Sequence, residues 1–330
     1  MRLIQCGLGG MGAHWIRTVR DQSEFEIAAF VEINPETARW RAEEFDLDPK
    51  RIYLSLEAAL ASVEADAVLD ITPPNAHRPV AFTALDAGLP VLAEKPLAGT
   101  RADAEAIVEK SSRTGVLHMV AQNYRYSPVA QTVRRALDAS DLGAVGAVSV
   151  RFFKGPHFGG FREIMAHPLI VDMAIHHFDL MRFFLGDSPV EIYARSWNPP
   201  WSWFQGDASA AVTARFESGA VVSYTGSWCS QGQETPWNAD WRFECADGVL
   251  TLQEDQIYVQ RRGQTEREEI LPLKMERQAQ AYLLHEFYQA VTTGTTPATT
   301  CQDNLNTTNF VFDVVQSCAT GEVVRRAQHR

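Results

Sequence analysis

Short apolar blocks in the first third of the chain alternate with longer stretches whose apolar positions recur every three to four residues. The blocks at 2–6, 26–31, 52–53, 67–71, 90–93 and 117–121 read as strands. The stretches at 13–19, 35–45, 56–62, 79–87 and 101–111 read as the helices between them. Strands separated by helices at this spacing predict a parallel, doubly wound sheet with right-handed crossovers. After residue 122 the pattern changes. A helix runs to about 139, and 145–154, 190–197, 208–216, 220–228, 241–246, 248–253 and 257–261 then read as strands. Many of these alternate with period two, and Glu217-Ser218-Gly219 and Asp247-Gly248 mark hairpins. Helices at 275–291 and 305–318 close the chain. The expected fold class is α/β. A doubly wound parallel sheet over 1–122 precedes an α+β domain over 123–330, with a large, mostly antiparallel open sheet and helices on one face.

One stretch of the second domain stands apart. Residues 165–186 read as a helix buried on most sides, with Pro168 suited to a first turn and Gly186 to a stop. Nearly every residue between them is apolar except Asp172, His176, His177, Asp179 and Arg182. Asp172 and His176 are four apart, so they stack on one helical face, and Asp179 follows on the same stripe. A carboxylate and an imidazole in such company are costly to bury without partners. Three readings fit: a satisfied core histidine, a general base with an orienting carboxylate, or half of a metal site. No third ligand is placed by the sequence, so no metal is expected.

The first domain carries a second cluster. Gly7-Leu8-Gly9-Gly10-Met11-Gly12 is a G-x-G-x-x-G between the first strand and the first helix, and Glu32 ends the next strand 20 residues after Gly12. In that context the motif is a dinucleotide-binding fingerprint of a Rossmann domain. The first glycine permits the turn, the second lets backbone approach a pyrophosphate, and the third lets helix and strand pack closely. The helix N-terminus offers its N–H groups to phosphate. Glu32 would accept from ribose hydroxyls and repel a 2′-phosphate, and Ile33-Asn34-Pro35 supplies no arginine, so NAD is favoured over NADP. Ligands of such sheets bind beyond the carboxyl ends of the strands, where Thr72-Pro73-Pro74-Asn75-Ala76-His77 and Glu94-Lys95-Pro96 fall. Thr72, Pro73, Asn75, His77, Glu94 and Lys95 are therefore expected at the cofactor, with Lys95 a cation able to reach its nicotinamide end.

A length of 330 residues suits two domains. The net charge of −11 argues against nucleic acid or an anionic membrane as the main partner. No apolar run reaches membrane-spanning length, the chain opens on a strand rather than a signal-peptide pattern, and five widely spaced cysteines show no zinc spacing. A cytoplasmic protein with reduced thiols is expected. Trp197, Trp201, Trp203, Trp228, Trp237 and Trp241 crowd the second domain, where indole faces suit a sugar ring or a subunit interface equally.

Together the Gly7–Gly12 motif, Thr72-Pro73-Pro74, Glu94-Lys95-Pro96, Asp172-x-x-x-His176 and the closing Ser317-Cys318-Ala319-Thr320-Gly321 resemble the glucose–fructose oxidoreductase, inositol dehydrogenase and rhizopine catabolism (Gfo/Idh/MocA) family over essentially the full length. The resemblance implies hydride transfer between NAD(P) and a hydroxyl of a sugar, polyol or related ring, and a sheet often used for oligomerisation. A homo-oligomer, dimer or tetramer, is therefore expected. It places Lys95, Asp172 and His176 on the family's catalytic positions. His176 is then the base, Lys95 the donor to the reacting oxygen, and Asp172 the residue that orients His176 or the substrate. Tyr124, Lys154 and His157 are further candidates for substrate hydroxyls. Ala166-His167-Pro168 departs from the commoner glycine-rich lead-in to this helix, which bears on the substrate. The same trio also serves a redox-neutral lyase or glycosidase that keeps NAD bound, and a non-enzymatic sensor would leave it idle.

Overall fold

The computed structural model describes residues 1–139 and 142–326; the last four residues of the expected second domain lie outside the described residues. These form two compact units. The first joins Met1–Asn123 to Arg277–Thr308, and the second joins Tyr124–Glu276 to the chain from Asn309 onward. The sequence division at 122 keeps everything after it together. The structure instead returns Arg277–Thr308 to the first unit, where Arg277 pairs with Glu24 at 2.6 Å and Tyr288 packs edge-on against Phe25. Pairings more than 250 residues apart leave no periodic signal.

The first unit alternates β1 (Arg2–Cys6), α1 (Gly10–Arg20), β2 (Glu26–Val31), α2 (Pro35–Phe45), β3 (Ile52–Tyr53), α3 (Leu56–Leu60), β4 (Ala67–Asp70), α4 (His77–Asp86), β5 (Val91–Ala93), α5 (Arg101–Thr114) and β6 (His118–Val120). The six strands pair in parallel in the order β3-β2-β1-β4-β5-β6, as expected of a doubly wound sheet. β4, β5 and β6 are buried at every residue, which is why apolar residues dominate them, Asp70 and His118 excepted. Asn34, Ser55 and Thr100 cap α2, α3 and α5 by accepting from backbone N–H groups of the first turn. Edge strand β6 is covered by the returning segment: Val120 N donates to Thr299 O at 2.8 Å, and Met119 bridges Thr300.

The second unit starts with α6 (Pro128–Asp138) and β7 (Val145–Phe153). One π-helical turn over Leu169–Ala174 then leads into α7 (Ile175–Leu185). β8 (Pro189–Trp197), β9 (Ser209–Phe216), β10 (Val221–Ser227), β11 (Asp240–Cys245), β12 (Gly248–Gln253), β13 (Gln256–Arg261) and β14 (Glu268–Ile270) follow. In the first unit comes α8 (Ala279–Thr293); α9 (Cys301–Thr320) begins there and ends in the second, before β15 (Val324–Arg325). The nine-stranded sheet runs β14-β13-β12-β11-β7-β10-β9-β8-β15. It is antiparallel except where β7 lies parallel to β10, and both expected hairpins form, β9–β10 and β11–β12. Period two shows directly in β7, where Val148, Val150 and Phe152 are buried while Ser149 and Arg151 are exposed. The buried face packs on α7 and α9, with Phe178 stacked on Phe310 and Phe184 edge-on to Trp241. Among the described residues no helix is long and apolar enough to cross a membrane.

The single helix expected over 165–186 is corrected. Its lead-in is pinned outside the helix, where Asp207 N donates to Ala166 O and a Cβ on Gly206 would fall 2.2 Å from Met165 O. The helix then opens with a wide turn, so Asp172 lies in π-helical backbone and His176 in α-helical backbone. Wide turns of this kind concentrate at functional sites. Gly186 closes the helix in the left-handed region, at φ 76°, as the sequence predicts.

Candidate active site

The glycine loop of the first unit fits a dinucleotide. Gly7 sits at φ +95°, and a Cβ there would fall 2.5 Å from Ile71 O. A Cβ on Gly12 would fall 2.4 Å from Gly7 O, so the third glycine is what lets α1 close on the turn. Gly9 and Gly10 have open space where a Cβ would be, and Gly9 gives α1 no side-chain cap. The first-turn N–H groups therefore face a space suited to a pyrophosphate. Two residues that the sequence reading missed brace this loop. Gln5 Nε2 donates to Gly7 O and Gly12 O at 3.1 and 3.0 Å, and buried Arg41 donates through Nε to Leu8 O at 2.9 Å. Met11, next in the motif, is exposed.

Glu32 ends β2 with both oxygens in use, accepting from Leu8 N and Asn34 N at 2.9 Å each. Thr72 donates by hydroxyl and amide to Asp70 Oδ1, while Pro73 and Asn75 stay exposed beyond β4. Burial pushes the Asp70 carboxyl up. His77 is not available to a ligand as the sequence reading expected. It is fully buried, with Nε2 2.9 Å from Thr72 O and Nδ1 2.9 Å from Pro96 O, so its side chain ties two strand-end loops together. Glu94 is also largely buried. Its Oε1 accepts from Trp15 Nε1 and its Oε2 from Lys95 N, which fixes the backbone from which the Lys95 side chain departs.

In the second unit the two adjacent histidines separate. His177 is fully buried, with Nε2 3.0 Å from Trp237 O and Nδ1 3.4 Å from Tyr224 Oη, and burial lowers its pKa to about 4. It is a neutral core residue. His176 stacks instead on the Tyr124 ring, centroids 4.2 Å apart and 16° from parallel. Burial, then the charges of Asp172 and Asp255, push the Tyr124 phenol up, so it stays a hydroxyl donor. Asp172 accepts from Arg162 Nε at 2.5 Å. Asp179, expected on the Asp172–His176 stripe, forms a buried pair with Arg125 at 2.5 and 2.7 Å and belongs to the scaffold. Lys154 pairs with Glu234 at 2.8 Å and lies over the Trp237 ring; His157 stacks on Trp203 at 3.8 Å. Lys154 hydrogen bonding holds the Glu234 carboxyl below its ordinary range. Of the tryptophans, Trp228 and Trp241 are core, whereas Trp197, Trp201 and Trp237 are exposed. Among the described residues no group of three or more His, Cys, Asp or Glu side chains could hold a metal ion.

Comparison with known proteins agrees with both units. Residues 1–122 match the Gfo/Idh/MocA oxidoreductase model, described as an NAD-binding Rossmann fold, and residues 130–251 match the C-terminal domain of the same family. The chain belongs to the Gfo/Idh/MocA family. Among its relatives is D-apiose dehydrogenase of Paraburkholderia graminis, 30% identical over 77% of this chain and 67% of that protein. Inositol 2-dehydrogenase of Corynebacterium glutamicum is 30% identical over 58% of this chain and 56% of its own. An oxidoreductase from Agrobacterium radiobacter, solved with NAD+, L-tartaric acid and magnesium, shares the fold at a TM-score of 0.89 and 21% identity, covering 98% of each chain. As a Gfo/Idh/MocA oxidoreductase this protein binds NAD through its first unit. In that setting Glu32→Ala is expected to weaken NAD about 10-fold or more, the scale of a hydrogen bond to a charged group, and to relax rejection of NADP. Fluorescence titration with both nucleotides checks this; an unchanged NAD/NADP ratio places the adenosine ribose away from Glu32.

Proposed function

We propose that this Gfo/Idh/MocA protein is an NAD-dependent dehydrogenase acting on a secondary hydroxyl of a sugar, polyol or inositol-like ring. The observation that carries the reading is the division of the two histidines. His177 is consumed by the core, while His176 lies against Tyr124 in the same unit as the Asp172–Arg162 pair. An imidazole titrates near neutrality and suits a proton acceptor at physiological pH. The Gly7–Gly12 loop and Glu32 would hold NAD, which would supply the hydride acceptor for the carbon bearing the hydroxyl. His176 takes the hydroxyl proton, and the Lys95 ammonium stabilises negative charge developing on that oxygen. Asp172 orients the hydroxyl or the imidazole, while Tyr124, Lys154 and His157 donate to further hydroxyls. The relatives named for D-apiose and inositol support this substrate class.

The test is a panel of aldoses, polyols and inositols with NAD and NADP, followed at the nicotinamide absorbance. NADH accumulation with at least one member is expected, and none with any member overturns the reading. We place the protein in the cytoplasm as a homo-oligomer. Tyr193, Trp197 and Val221 are large apolar residues left exposed on the second unit's sheet. Sedimentation as a monomer at working concentration removes the oligomer.

A further inference from the structure

The loop before the π-helical turn holds a cation that the mechanism above leaves unused. Gly159 and Gly160 both lie in the left-handed region, at φ +66° and +65°, and the following short helical turn, Gly160–Ile164, carries Arg162. Glu163 anchors this segment, accepting from Gly159 N at 3.0 Å through its side chain and from Gln205 N at 2.7 Å through its carbonyl. The turn brings Phe158 and Phe161 to the Arg162 guanidinium, whose carbon lies 5.3 and 4.8 Å from their ring centroids. Both rings stay largely exposed, 46% and 60%. Large aromatic side chains left out of the core yet held on a guanidinium fix its plane and strip water from its faces.

The hydrogen bonding of Arg162 is lopsided. Guanidinium has five N–H donors. Nε donates to Asp172 Oδ2 at 2.5 Å, and among the described residues neither Nη nitrogen donates to another group. A pair serving only to neutralise Asp172 is best made fork to fork, as Arg125 makes it with Asp179 through Nε and Nη2. Arg162 instead gives one edge to the candidate catalytic carboxylate and leaves the Nη1/Nη2 edge open, with its side chain 27% exposed. An open guanidinium edge matches two oxygens of one anionic group. Of the other two cations in the proposed mechanism, Lys95 serves the reacting oxygen, and Lys154 is already paired with Glu234.

We propose that Arg162 is a specificity residue that binds an anionic oxygen group of the substrate, so that the preferred substrate is a sugar or polyol bearing a carboxylate or phosphate near the reacting hydroxyl. This rests on the dehydrogenase reading and narrows its substrate class. One guanidinium then bridges the substrate anion and Asp172. It couples recognition of the charged group to placement of the carboxylate that orients the reacting hydroxyl.

The experiment compares matched triplets (a hexose, its uronate and its 6-phosphate) on wild type, Arg162→Lys and Arg162→Met. NADH formation and quenching of tryptophan emission in the NAD-loaded protein are both read. In the wild type, kcat/KM for one anionic member is expected to exceed that of the neutral sugar on the order of 10- to 100-fold, the scale of a charge-assisted bond. Whichever anion wins identifies the group. Arg162→Met lowers turnover of every member, because Asp172 loses the Arg162 hydrogen bond, but collapses the anionic preference towards one. Arg162→Lys, which keeps a cation on Asp172 and loses the fork, falls between. Equal turnover of neutral and anionic members in the wild type, or a preference that survives in Arg162→Met, overturns the proposal. Saturable anion binding that is lost in Arg162→Met, with no NADH from any member, sustains the Arg162 assignment and removes the dehydrogenase reading. NADH from neutral sugars alone does the reverse. Neither binding nor NADH removes both.

Discussion

Replacing His176 with alanine is expected to lower kcat/KM by about 10²–10⁴-fold, the usual contribution of a general base, and to leave NAD affinity near the wild-type value. The second half of the expectation follows from the fold. The glycine loop, Glu32 and the strand-end loops at Thr72 and Glu94 belong to the first unit, whereas His176 stands on α7 of the second. The first half follows from the surroundings of the imidazole. It is stacked on Tyr124 and only 7% exposed, so the variant removes the imidazole from a largely buried place against that ring. His177 does not substitute for it, because both its nitrogens face core partners and burial has lowered its pKa to about 4. A base must be unprotonated to act, so wild-type activity falls on the acid side of the pH profile. In His176→Ala that acid limb is expected to disappear with the activity. Near-wild-type kcat/KM across pH would assign the base elsewhere and leave α7 a structural helix.

Lys95→Ala is expected to cost about 10²–10³-fold in kcat, the size of a lost donor to a developing oxyanion. The folded structure of the first unit should survive the change. The Glu94 carboxylate is held by the Trp15 indole and by the Lys95 backbone N–H, neither of which the substitution removes. A folded protein by circular dichroism beside the lost rate is therefore the expected pair of measurements. Because His176 and Lys95 are assigned to the same step, their losses do not add, and the double variant is expected to be little worse than the poorer single one. Full additivity of the two losses would place them in separate roles.

The parts of this molecule legible in the sequence are those set by local constraint. Gly7 and Gly12 announce themselves because no other residue fits their backbone, and β7 to β13 because one face of each is buried and the other is not. β14 and β15, three and two residues long, are too short to show a period. The π-helical turn is equally silent, since residues 169–175 are apolar enough to suit either winding. At the candidate site, Asp172 and His176 stand out as polar groups in apolar company, whereas Tyr124 lies in the polar stretch Gln122–Ser127. Arg162 and Glu234 do not: each is one charge among many until a fold brings it to Asp172 or to Lys154, 10 and 80 residues away. His77 shows the opposite error, where a residue type suggests a ligand contact and the fold uses it to join loops.

The return of Arg277–Thr308 to the first unit sets an order of events as the chain is made. When residue 122 leaves the ribosome, all six strands of the first sheet have been synthesised, yet β6 still lacks Thr299 and Thr300 along its free edge, and Glu24 lacks Arg277. A bare edge strand whose residues are all buried in the finished unit invites pairing with another nascent chain. Folding from the amino end alone therefore stops short of a finished nucleotide-binding unit, which residues 277–308 complete only after β7 to β14 have been made.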